Sequence, residues 1–127
     1  MAGLSREDFE FIRKLRKLGI LEHIAGHQLS LKNGVISCFC SDCDRSADIY
    51  EHRRSIVREQ CKDPRIHMLA DNGGPLLIPK DSPANRSEST RADDFLYSIK
   101  FAINKTQIQT IALVGHAPCN MAIERGI

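Results

Sequence analysis

Apolar residues recur along this chain with changing period, and each change marks a new element. Phe9, Ile12, Leu15 and Leu18 return every three residues, and Leu21 and Ile24 continue the row. That spacing keeps them on one side of a helix and predicts a first helix over residues 5–25. Ser5 and Asp8 stand in the relation of a capping box, with Asp in place of the usual Glu. Arg13, Lys14, Arg16 and Lys17 fall on the other side and read as a solvated face.

Past Gly34 the helical period is lost. Val35-Ile36-Ser37-Cys38-Phe39-Cys40 is a short apolar, β-branched run, the pattern of a strand buried on both faces. It runs into a polar, turn-like stretch over 41–46. A helix is expected over 47–61, with Ile49, Ile56 and Val57 as its apolar side, and Pro64 closes it. A second strand follows over 66–70. Asn72-Gly73-Gly74-Pro75 is a strong turn signal. Its glycines read as positions needing positive φ, or as places where a small substrate nears the backbone.

Residues 79–92 are polar, hold Pro79 and Pro83, and read as a loop. Asp93 or Asp94 is placed to cap a third helix carrying Phe95, Leu96, Ile99, Ala102 and Ile103, with Tyr97 read as packing. Residues 110–114 form a third apolar run, ending at Gly115-His116-Ala117-Pro118. Pro118 suits the first turn of a last helix over 119–125. One helix and then three strand–helix units predict a single α/β domain over residues 1–127. Its small, mainly parallel sheet is flanked by helices in three layers, with an N-terminal amphipathic helical arm over 1–27.

Composition narrows the class. A chain of 127 residues with 42% hydrophobic and 27% charged residues is ordinary for one globular domain. A formal net charge of +2, with no basic block, argues against a nucleic-acid or anionic membrane partner. No apolar run nears the ~20 residues that span a bilayer, and the polar start is unlike a secretory signal. Five cysteines, unevenly spaced, point to a reducing, cytoplasmic setting with free or metal-bound thiols.

The candidate chemistry gathers at strand ends, where ligands collect in parallel sheets. Cys40 ends the first strand and His116 follows the third, so the two converge where those strands are neighbours. His116 and Cys119 form an H-x-x-C pair at a strand-to-helix turn. Thiolate and imidazole are the ligands zinc prefers. Asp42, two residues past Cys40, is placed to be a fourth ligand or to accept a hydrogen bond from a bound water. Cys40 and Cys43 also form C-x-x-C, and Cys43 in fourth place gives a closed Cys3His site with a structural role. Cys38 alternates with Cys40 and reads as core; Cys61 reads as inert. His67 reads as a partly buried strand residue, with a proton shuttle as its functional alternative. His23, His27 and His52 read as surface residues.

Two motifs in order, Cys40-Ser41-Asp42 followed by an arginine and Gly115-His116-Ala117-Pro118-Cys119, resemble the β-class carbonic anhydrases over about residues 35–125. The resemblance implies zinc held by Cys40, His116 and Cys119. Asp42 then either closes the metal site or orients a zinc-bound hydroxide. It implies reversible hydration of carbon dioxide to bicarbonate, or hydrolysis of carbonyl sulfide or carbon disulfide. The family's arginine pairs with the aspartate and draws it off the metal. Here Asp44 holds that position and Arg45 comes one residue later. The opposing expectation is a non-catalytic zinc domain. A homodimer is expected, because three strands leave open sheet edges and the first helix resembles an arm laid across a partner.

Overall fold

The computed structural model describes residues 5–22, 29–85 and 90–127. Helix α1 (Arg6–Lys17) opens on the expected capping box. Ser5 Oγ accepts from the Asp8 amide at 3.2 Å, and the Asp8 carboxylate accepts from the Ser5 amide at 2.8 Å. The helix ends well before residue 25. Gly19 takes φ +69, its amide bonds the Arg16 carbonyl, and the Ile20 amide bonds that of Leu15. This double closure is a Schellman motif, which glycine makes easy because it carries no Cβ. The apolar row therefore runs past the helix into a turn. Ile24, His23 and His27 lie outside the described residues.

Strand β1 (Val35–Cys40) is buried along its whole length. It sits between β2 (Ile66–Asp71) and β3 (Ile111–Val114), in the order β2-β1-β3, all parallel. The register sets Cys40 opposite Asp71 and Phe39 opposite Val114. Alternation along β1 feeds two cores. Ile36 and Cys38 pack with Leu77, Phe95, Ile99 and Ala102 on one face. Val35 packs with Leu31 and Val57 on the other. Helix α3 (Arg91–Thr106) supplies Phe95, Ile99 and Ala102 to the first group and α2 (Ser46–Arg58) supplies Val57 to the second, so the molecule is the expected three-layer α/β sandwich.

Several boundaries differ from expectation. Helix α2 stops at Arg58, three residues early. The chain there tightens, with the amides of Glu59 and Gln60 bonding back three residues. The Gln60 side chain then reaches the Leu29 carbonyl at 2.7 Å and the Leu31 amide at 2.9 Å. Helix α3 starts at Arg91, so Asp93 and Asp94 sit in its first turn instead of before it. There their charges face the positive end of the helix dipole. A 3-10 turn (Gly74–Leu77) follows β2 and buries Leu77. Beyond it, Asn85 Nδ2 donates to the carbonyls of Leu77 and Pro79, and Ala84 is buried, which folds the start of the polar loop inward. Helix α4 (Asn120–Arg125) begins after Cys119, which is extended. Pro118 thus lies outside the helix, and the Ala117–Pro118 peptide is cis. Tyr97 is 68% exposed and touches Phe101 on the outer side of α3, not the core. Among the described residues no helix is long and apolar enough to cross a membrane.

Candidate metal centre

The neighbouring carboxyl ends of β1 and β3 bring the three expected residues together. Cys40, His116 and Cys119 each offer a ligand atom, and these atoms lie within 4.8 Å of one another. This Cys2His group can hold a metal ion. Both cysteines are buried and His116 is half-buried. The His116–Cys119 spacing works on a turn, before α4 begins, and not along a helix.

Three backbone features tune the group. The His116 Nδ1 atom lies 2.9 Å from the Pro118 carbonyl oxygen. A carbonyl only accepts, so Nδ1 carries the proton and Nε2 keeps its lone pair. Nε2 is buried and, among the described residues, has no hydrogen-bond partner. A backbone carbonyl fixing the other ring nitrogen is how metal-bound histidines are commonly set. The Gly73 amide donates to Cys40 Sγ at 3.3 Å. That contact fixes the sulfur against the turn after β2. Gly74, at φ +48, lies hard against the end of β1: a Cβ there would stand 2.4 Å from the Phe39 carbonyl carbon. The glycines thus serve positive φ and close packing under the site, as their turn position implies.

The donor set suits zinc. Two thiolates and one imidazole are soft-to-borderline ligands, and three protein ligands leave a fourth position open. An orphaned, buried imidazole nitrogen beside two thiols is a costly arrangement unless something accepts its lone pair.

The other expected site residues lie nearby but outside this group. The Asp42 carboxylate accepts from the Asp44 amide at 2.9 Å, which turns it onto its own backbone. It clusters with Cys43 and Asp44. Arg45 stands just before α2, and among the described residues no ion pair joins it to Asp42. Cys43 is exposed and belongs to the Asp42 cluster. Cys38 is core, as expected, and burial pushes its thiol up to about 11. Cys61 Sγ lies 3.0 Å from the Asp63 carbonyl oxygen, away from the site. His52 is exposed. His67 is half-buried and pairs with Ile36, four residues from Cys40 along β1. At about 3.3 Å per residue this sets it roughly 13 Å along the sheet from the ligands, too far for a direct shuttle.

Two cavities meet at Cys40. One, of about 130 Å³, is lined by Cys40, His116 and Cys119 together with Pro75, Leu76, Val114 and Ala122. The other, of about 430 Å³, is lined by Cys40, Asp42, Cys43, Asp44, Asn72 and Glu124, among others. Sequence reasoning missed the apolar walls, because they come from a 3-10 turn and a short helix with no motif of their own. It also missed Arg91, which pairs with Asp71 at 2.8 Å and reaches the Asn72 carbonyl at 3.2 Å. That contact ties α3 to the turn carrying Gly73. Comparison with protein-family models, curated proteins and solved structures gave no match.

Proposed function

We propose that Cys40, His116 and Cys119 hold one zinc ion with its fourth position open, and that the chain hydrates carbon dioxide reversibly to bicarbonate. The observation that carries this reading is the convergence of the three donors with the His116 Nε2 atom buried and unpartnered. Zinc with an open position supplies a nucleophile near neutral pH by lowering the pKa of bound water.

The chain's own residues would do the rest. The Pro118 carbonyl holds the imidazole in its ligating tautomer, and the Gly73 amide steadies the Cys40 sulfur. Pro75, Leu76, Val114 and Ala122 make an apolar chamber beside the ligands. It suits a small uncharged molecule and excludes bulky ones. Asp42, Asp44 and Glu124 line the adjoining cleft. Their charge repels an anionic product and favours its departure to solvent. Asp42 lines that cleft with Cys40, and its carboxylate would orient the nucleophile on leaving its bond to the Asp44 amide. The exposure of Cys43, and its place in the Asp42 cluster, support an open site over the closed Cys3His one.

Stopped-flow carbon dioxide hydration by the zinc-loaded protein tests this. Activity is expected to rise toward alkaline pH, and His116→Ala is expected to lose both zinc and activity. A protein holding one zinc per chain yet inert from neutral to alkaline pH would overturn the catalytic reading.

A further inference from the structure

The turn after β2 carries the amide that meets Cys40, and its backbone has two orientations open to it. Gly73 takes φ +87 and ψ −17. These angles are close to those of the third residue of a type II turn, about +80° and 0°. Rotating the peptide between Asn72 and Gly73 by half a turn gives the type I form, where that residue has φ near −90°. Glycine occupies both regions about equally, so Gly73 itself selects neither. The choice matters at the metal-ligand group. The Gly73 amide donates to Cys40 Sγ at 3.3 Å. A rotated peptide would set the Asn72 carbonyl oxygen toward that sulfur instead, and two electron-rich atoms would face each other.

Contacts on the far side of the same peptide make the choice. In a trans peptide the C=O and N–H point in opposite directions. Arg91 Nη2 donates to the Asn72 carbonyl at 3.2 Å and to Asp71 Oδ1 at 2.8 Å. Asp71 Oδ1 in turn accepts from the Asn72 amide at 2.7 Å. Asn72 is thus held through both its amide and its carbonyl. Asp71 is itself anchored: it stands opposite Cys40 in the register, and its carbonyl accepts from the Ser41 amide at 3.1 Å. A charged donor makes a hydrogen bond roughly twice as strong as a neutral one, whereas sulfur is a weak acceptor. The guanidinium therefore outweighs the sulfur in setting the peptide. We infer that Arg91 is a positioning residue for the proposed metal centre. Braced on Asp71, it fixes the Asn72–Gly73 peptide so that the Gly73 amide donates to the Cys40 sulfur. The chemical consequence rests on the zinc reading, because hydrogen bonds to a ligating atom orient it and tune the metal. The geometric role does not. The Arg91 and Asp71 side chains are 33% and 43% exposed, so their ion pair adds little to stability, and its effect lies in the direction of one amide.

Two readouts on the full chain test this. The Gly73 amide proton resonance of the metal-free protein reports the hydrogen bond to sulfur. The thiolate-to-cobalt charge-transfer band of the cobalt(II)-loaded protein reports the sulfur itself. Arg91→Ala is expected to move the Gly73 resonance upfield, toward that of an unbonded amide. It is expected to shift the cobalt band to longer wavelength, since a sulfur without its donor gives up charge more readily, and to weaken cobalt binding roughly tenfold. Gln60→Ala removes bonds at the opposite end of β1 and is expected to leave resonance, band and affinity as in wild type. An Arg91→Ala protein with the wild-type Gly73 resonance overturns the inference. So does one with the wild-type band and affinity, or a Gln60→Ala protein that changes as Arg91→Ala does. A wild type with no cobalt–thiolate band would overturn the zinc reading instead, with the Gly73 resonance still deciding whether Arg91 fixes the amide on Cys40.

Discussion

At the residue scale, two positions beside the Cys2His group report on how tightly its surroundings are built. Gly74 combines a left-handed backbone with a Cβ position inside the van der Waals envelope of Phe39 and Cys40. The contact is with backbone, which cannot rotate away as a side chain would. Gly74→Ala should therefore cost about 2–3 kcal/mol in urea denaturation, from strained φ and displacement of β1. It should also weaken metal binding, since Cys40 moves with the strand. Unchanged stability would mean that the turn is looser than described. Cys38 reports through pH. Its thiol lies near 9 when unfolded and is pushed up to about 11 by burial in the fold. Between those values the unfolded chain has lost the proton and the native chain still holds it. Stability must then fall as pH rises from about 9 to 11, by roughly 1–2 kcal/mol. Cys38→Ala should flatten that slope, read by urea midpoints at each pH.

At the scale of elements, short side-chain stitches hold the segments that position the sheet. Gln60 donates to the Leu29 carbonyl and accepts from the Leu31 amide, so one amide fixes the entry to β1 against α2. Gln60→Ala leaves two part-buried backbone groups unpaired and should cost about 1–3 kcal/mol, seen as a lower urea midpoint. Gln60→Glu keeps the acceptor for Leu31 alone and should fall between the two. The strands around these stitches were legible in the sequence. β1 is buried on both faces, so it reads as an unbroken apolar run, and its neighbours follow from strand–helix alternation. Cys40, His116 and Cys119 were legible because strand ends and topology place them. Helix ends were less so. Gly19 closes α1 through backbone geometry, while the apolar period of Leu21 continues as if the helix did. Asp42 was expected toward the metal, but its carboxylate bonds the Asp44 amide two residues on, a local option that spacing does not reveal.

At the scale of the whole molecule, a thin three-stranded sheet presents a metal-ligand group at one end and an uncovered helix elsewhere. Among the described residues no strand pairs with the outer edges of β2 and β3, and Ile111 and Leu113, on the same face as Ile36 and Cys38, are exposed because α3 packs over β1 and β2. A core this small leaves limited reserve. Metal bound by Cys40 at the end of β1 and by His116 and Cys119 after β3 would link those strands, so loading the chain with zinc should raise the melting temperature and chelation should lower it again. The donor set at that junction decides what the site can do. X-ray absorption at the zinc edge of the loaded protein reads it directly. Two sulfurs at about 2.3 Å, one imidazole nitrogen and one oxygen at about 2.0 Å are predicted. Three sulfurs, placing Cys43 in the fourth position, or none at all, would contradict it.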